Sequence, residues 1–235
     1  MRVLILSTTT GYQLRSFGDA ARRIGIDLTF ATDRCQKLDD PWRDDAVPVR
    51  FHEADASLAA IVHAARKRPL DGIIAVGDRP VVLAARAARA LGLRGNSPDS
   101  VAASVNKKTA RVRFAAAGLS APWFFEAPPE PDVAADPRVR FPCVIKPLGL
   151  SGSRGVMRAD SPEELHAAIA RLSKLLSRLD VRVLRNGLEN TMLVEGFIEG
   201  REFALEGVLR DGVLHSFAIF DKPASSKPYA LLTAV

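Results

Sequence analysis

Cysteine is nearly absent from this chain, with Cys35 and Cys143 its only two. A disulfide framework and a four-thiolate metal centre are therefore excluded. No stretch approaches the ~20 uncharged apolar residues that a membrane span requires. The opening Met1-Arg2-Val3-Leu4-Ile5-Leu6-Ser7 is too short for a secretory signal and lacks a cleavage region. The expectation is a cytoplasmic protein with no membrane partner. Histidine is scarce as well: His52, His63, His166 and His215 lie far apart, without metal-ligand spacing. The segment after the first apolar run, Ser7-Thr8-Thr9-Thr10-Gly11, lacks the G-x-G-x-x-G dinucleotide fingerprint, and no G-x-x-x-x-G-K-S/T occurs anywhere. Gly149-Leu150-Ser151-Gly152-Ser153 misses the nucleophile-elbow pattern by one residue. Internal repeats and low-complexity tracts are missing too.

What is present is the balance of a globular chain. Its 235 residues are 47% hydrophobic and 26% charged, enough for two domains. Net charge is +6, carried mostly by arginine in groups such as Arg22-Arg23, Arg66-Lys67-Arg68, Arg111 with Arg113, and Arg182 with Arg185. Carboxylates interleave with most of these groups. That pattern argues against a dedicated nucleic-acid surface and suits a smaller polyanion such as a nucleoside triphosphate.

Strand and helix signals alternate over the first hundred residues. Val3–Ser7 reads as a strand, and Leu14, Phe17, Ala21 and Ile24 recur at helical spacing until Gly25. Residues 27–32 read as a second strand, residues 33–47 as a polar loop, and residues 57–68 as a helix ended by Pro69. Residues 71–78 form the clearest buried strand, followed by a helix that Pro80 opens and Gly92 closes. This order predicts a Rossmann-like parallel sheet with helices on both faces, here 1–100. The second part, 101–223, reads as α+β. It begins with a helical stretch from Ser97-Pro98-Asp99 to about Ala117 and a Pro-rich loop over 127–137. Strands at 141–147, 155–159 and 192–198 follow, with a helix over 161–179 opened by the capping box Ser161-Pro162-Glu163-Glu164. A hairpin of residues 202–209 and 213–220 turns at Arg210-Asp211-Gly212. Residues 224–235 remain an unassigned tail.

Three segments carry chemistry. In Val144-Ile145-Lys146-Pro147 a lysine ends a buried strand, which is expensive unless its ammonium finds an anion. The loop that follows holds Ser151, Gly152 and Ser153, whose hydroxyls and accessible N–H groups suit phosphate oxygens; a solvent-facing lysine beside a plain hairpin loop is the alternative. Next, Glu195-Gly196-Phe197-Ile198-Glu199-Gly200-Arg201-Glu202 connects two strands. Such a connector can offer backbone groups to a purine edge and a carboxylate to ribose hydroxyls, or it is a charged turn. Upstream, Asn106-Lys107 stands eleven residues before Gly118-Leu119-Ser120-Ala121-Pro122.

In this order and spacing the three segments resemble the ATP-grasp superfamily over about residues 1–223, and the alternating first hundred residues resemble its pre-ATP-grasp domain. The resemblance implies ATP as cofactor. It assigns Lys107 and Lys146 to the phosphates, with Lys108 the alternative to Lys107. Ser151, Gly152 and Ser153 take the loop over those phosphates. Glu195 and Ile198 take the hinge at the adenine edge, with Phe197 as a main-chain acceptor, and Glu202 takes the ribose. Lys222 resembles a catalytic lysine near the terminal phosphate. Family members activate a carboxylate as an acylphosphate for attack by an amine or other nucleophile, so the implied activity is ligation of a small carboxylate substrate, with a homodimer left open. Magnesium is implied with ATP, yet after Glu206 the only carboxylates are Asp211 and Asp221, and no asparagine follows Asn190. The expectation is that this chain lacks the protein ligands of magnesium, that its ATP-grasp domain lacks its C-terminal part, and that it binds nucleotide without completing the ligation. A non-catalytic nucleotide-binding or regulatory module is the competing expectation, and a basic nucleic-acid-binding protein the third.

Overall fold

In a computed structural model that describes residues 1–8, 14–33, 46–184, 187–188 and 190–222, the first apolar run becomes the middle of a parallel sheet. Residues 9–13, residues 34–45 of the expected polar loop (Cys35 included) and the unassigned residues 224–235 lie outside the described residues. The chain falls into two units, Met1–Arg113 and Phe114–Val235.

In the first unit β1 (Arg2–Ser7) pairs with β2 (Asp27–Thr32), which pairs with a two-residue β3 (Val47–Pro48). On the other side of β1 lies β4 (Gly72–Val76), giving the all-parallel order β3-β2-β1-β4. Leu4 and Leu6 share a core with Ile61 of α2 (Ala54–Lys67) and with Leu83, Ala84 and Ala87 of α3 (Val81–Ala90). A strand covered on both faces needs an unbroken apolar run, which is what Val3–Leu6 supplies.

Several boundaries differ from expectation for local reasons. The first helix, α1 (Leu14–Arg23), stops before Ile24, because Gly25 turns the chain at φ +67°; Ile24 is exposed, off the apolar face. Val47 belongs to β3 and not to a loop. The helix expected from Ser57 begins three residues earlier, and Ser57 turns inward. Its Oγ accepts from the Arg50 N–H at 2.8 Å and donates to the Arg50 carbonyl at 2.8 Å. The single helix expected from Ser97 to about Ala117 is two, α4 (Pro98–Val105) and α5 (Lys107–Ala116). Asn106 between them is extended, and its Oδ1 accepts the Thr109 N–H at 3.0 Å, so it caps α5.

The second unit holds a four-stranded sheet ordered β5-β8-β6-β7, antiparallel throughout: β5 (Phe124–Ala127), β6 (Cys143–Pro147), β7 (Met157–Ala159) and β8 (Met192–Gly196). β5 was not expected; its alternation Phe124, Phe125, Glu126, Ala127 is the signal for it. One face, with Phe125, Cys143, Ile145, Met192 and Val194, packs with Leu165, Ile169, Leu172 and Leu176 of α6 (Pro162–Leu176). Burial of each such side chain contributes roughly 1.5–3 kcal/mol. Ser161 caps α6 by accepting the Glu164 N–H at 3.3 Å, while Glu164 accepts the Asp160 N–H at 2.8 Å. A side-chain hydrogen bond with Ser161 holds the neighbouring Glu163 carboxyl below the ordinary carboxylate range. The helix expected to run to Leu179 breaks at Ser177, and a short α7 (Leu179–Arg182) follows.

The hairpin is a sheet of its own, β9 (Glu202–Arg210) with β10 (Val213–Lys222). Asp211 and Gly212 turn it with φ of +51° and +80°, the left-handed pair of a two-residue hairpin loop. Phe203, Leu205, Leu209, Leu214, Phe217 and Ile219 along it are exposed.

Candidate functional site

The antiparallel register places Val144 opposite Glu195, Ile145 opposite Val194 and Lys146 opposite Leu193. Side chains alternate across a sheet, so Lys146 and Glu195 share the face turned away from α6 and are diagonal neighbours there. The Lys146 ammonium is ion-paired with Glu195 Oε1. Glu195 is only 2% exposed, while Lys146 is half-buried. A carboxylate at that depth is tolerable only with a partner, and a strand-end lysine provides one. The pair offers a cationic donor beside an anionic acceptor.

β8 stops at Gly196, and there and at Phe197 the main chain is held by two different segments. The Gly196 N–H donates to the Trp123 carbonyl at 2.9 Å, and a Cβ here would lie 2.7 Å from the indole Nε1 of Trp123, so only glycine fits. The Phe197 N–H donates to the Pro142 carbonyl at 3.1 Å. Ile198 is exposed, and its N–H has no partner among the described residues. The guanidinium of Arg158 lies 4.1 Å from the centre of the Phe197 ring.

Between β6 and β7 the glycine-rich loop divides into an open tip and a fixed base. Ser151, Gly152 and Ser153 are exposed, and Ser153 adopts a left-handed φ of +56°. At the base, a Cβ on Gly155 would meet Leu175 at 2.8 Å and Leu172 at 3.1 Å, so this glycine lets the backbone lie against α6. Arg154 donates to Asp180 at 2.5 Å, and Arg178 joins the same carboxylate at 2.9 Å. These two guanidinium groups hold the Asp180 carboxyl below its ordinary range.

Of the remaining sequence candidates, Glu202 and Lys222 are register partners on the hairpin and form an exposed ion pair, next to an Arg201–Asp221 pair at 2.5 Å. Lys107 is the first residue of α5, in the first unit, where the helix N-terminus adds positive potential to its own charge. Among the described residues no group of three or more His, Cys, Asp and Glu side chains converges as a metal centre. Buried Cys143 has its thiol pushed up to about 11 by desolvation, which makes it a core residue and not a nucleophile. Trp123, Pro142 and Arg158 brace the hinge and were not expected from sequence. Only Trp123 carries a signal there, as one of two tryptophans in the chain.

The ATP-grasp N-terminal domain matches residues 18–95 and the ATP-grasp domain matches residues 139–232. The ATP-grasp enzyme fsqD of Aspergillus fumigatus is 28% identical over 221 residues, which is 89% of this chain and 36% of that protein. The L-amino acid ligase of Bacillus licheniformis superposes with a TM-score of 0.72 at 24% identity, over 97% of this chain and 52% of the other. The N5-carboxyaminoimidazole synthase of Aspergillus clavatus, solved with ADP and its ribonucleotide, gives 0.60 at 16% identity over 93% and 53%. The chain thus spans about a third of the curated relative and about half of each of these structures. No helix among the described residues is long and apolar enough to cross a membrane. With a parallel sheet in the N-terminal unit, an antiparallel sheet in the C-terminal unit and the two domain matches in that sequence order, the chain carries an ATP-grasp N-terminal domain followed by an ATP-grasp domain.

Proposed function

We propose that the chain binds an adenine nucleotide at the Lys146–Glu195 face and that it serves an ATP-dependent ligase. The observation that carries the reading is the buried Lys146–Glu195 pair at the start of the hinge. Adenine shows an acceptor, N7, beside a donor, the 6-amino group, whereas guanine shows two acceptors there. A lysine next to a glutamate matches the first arrangement, whereas with guanine the glutamate would face the O6 acceptor without a proton between them. The Phe197 carbonyl and the Ile198 N–H would extend the same recognition along the hinge. Ser151, Gly152 and Ser153 at the open loop tip supply hydroxyl and N–H donors for phosphate oxygens. Glu202 is proposed for the ribose and Lys222 for the terminal phosphate, each leaving the other when nucleotide enters. The Asn106-Lys107 motif alone assigns Lys107 to phosphate.

ATP supplies the phosphoryl group that converts a carboxylate into a species an amine or another nucleophile can attack. The part of this chain is placement and charge: lysines and oriented amides offset the triphosphate, and the hinge fixes the base. No step is assigned to a metal ligand of this chain. Calorimetric titration of the chain with ATP, before and after Lys146→Gln, tests the reading. A loss of roughly ten- to a hundredfold is expected, the usual effect of removing a charge-assisted contact. Unchanged affinity in a folded variant would remove Lys146 from the site.

A further inference from the structure

We propose that Arg158 is a positioning residue for the nucleotide base, acting through the side chain of Phe197; the inference rests on residues 195–198 being the adenine hinge. Val144 pairs with Arg158 on one side and Glu195 on the other, so these three side chains share one face, across neighbouring strands. From that place Arg158 reaches past the end of β8, and its guanidinium stacks on Phe197 at 4.1 Å. Its orientation is fixed independently. Asp160 Oδ1 accepts from Arg158 Nε at 2.7 Å, and the same oxygen lies 2.6 Å from Nη2. The Phe197 N–H is already tied to the Pro142 carbonyl. With its N–H bonded and its ring clamped, Phe197 has little torsional freedom left, and its carbonyl and the following Ile198 N–H keep one direction each.

These are the two main-chain groups a base would use, and both follow the end of β8 at Gly196. Freezing one residue's backbone in advance is worth roughly tenfold in binding, and a partly desolvated cation–π contact supplies an effect of that order. Arg158 touches neither base nor phosphate in this arrangement; it sets the direction of groups that do.

Adenosine and inorganic tripolyphosphate, each titrated as a competitor of ATP against the full chain, separate base from phosphate. Arg158→Ala is expected to weaken adenosine about fivefold and ATP by the same factor, with tripolyphosphate unmoved. Arg158→Lys should recover part of the loss, and Phe197→Ala combined with Arg158→Ala should cost no more than Phe197→Ala alone. Asp160→Ala frees the guanidinium without removing it and serves if Arg158→Ala does not fold; a smaller loss, confined to adenosine and ATP, is expected. Adenosine affinity unchanged by Arg158→Ala or Asp160→Ala overturns the proposal, as does an equal loss for tripolyphosphate. If the unaltered chain binds neither ATP nor adenosine, the nucleotide reading itself fails, and Arg158 falls with it.

Discussion

The two sheets of the second unit each carry one cross-strand lysine–glutamate pair, and the pairs differ mainly in depth. Lys146–Glu195 joins β6 to β8 with Glu195 2% exposed; Lys222–Glu202 joins β10 to β9 with both side chains largely in solvent. In water such a pair contributes ~0–1 kcal/mol, because solvent and salt compete for both charges. Under a sheet, neither charge can be left alone without a large desolvation penalty. The same two residue types therefore make a structural commitment in one sheet and an easily exchanged contact in the other. A nucleotide would find the first pair preset and the second ready to separate.

The largest effect that tests this contrast comes from breaking the buried pair. Lys146→Ala should lower stability by roughly 3–5 kcal/mol, since it removes the ammonium that pairs with the buried Glu195 carboxylate. Replacing both residues, Lys146→Met with Glu195→Leu, should recover most of that loss. Urea unfolding measures both, and additive losses would show that the two charges do not depend on each other. Binding studies on Lys146 variants must accordingly confirm folding first.

Next in size is Gly196→Ala at the edge of the buried sheet. The new methyl group would stand 2.7 Å from the Trp123 indole, which must move, and overpacking of this kind costs about 1–3 kcal/mol. Indole fluorescence should shift in the same variant, and an unchanged spectrum with unchanged stability would contradict the packing described for the hinge.

Glu202→Gln and Lys222→Ala on the hairpin should each stay within ~1 kcal/mol of the unaltered chain. A loss matching that of Lys146→Ala would abolish the distinction between the two sheets. The smallest expected effect is the pH response of the loop base. Asp180 is held low by Arg154 and Arg178. Its contribution is therefore full above the ordinary carboxylate value and is lost as pH falls through the lower folded one. Hydrogen exchange at Arg154 and Gly155, corrected for intrinsic rate, should rise on acidification below about pH 4, where ordinary carboxylates protonate. No change would detach the loop from Asp180.

Legibility in the sequence followed the same division. The parallel strands and α6 were readable because burial on both faces, or along one helical stripe, imposes a period on the residues themselves. Asp211-Gly212 announced the hairpin because few residues tolerate positive φ. The break at Asn106 was harder, since a capping asparagine inside a helical pattern looks like an ordinary polar residue until its Oδ1 is seen on Thr109. Within the site, single residues at strand ends and loops could be named from motifs. Their pairing could not: that Lys146 neutralises Glu195, and that Lys222 meets Glu202, depends on strand register, which residues some fifty and twenty positions apart do not encode locally. Arg158 and Trp123 act on the hinge from other strands and loops, with no local pattern linking them to it.

The central claim is that a buried donor–acceptor pair reads adenine. Its most direct test is parallel titration of the full chain with ATP and GTP, whose triphosphates are identical and whose base edges differ at position 6. The account predicts saturable ATP binding and GTP weaker by tenfold or more, the ~1–3 kcal/mol of one matched base-edge contact. Equal affinity for the two nucleotides, or no binding of ATP, would contradict it.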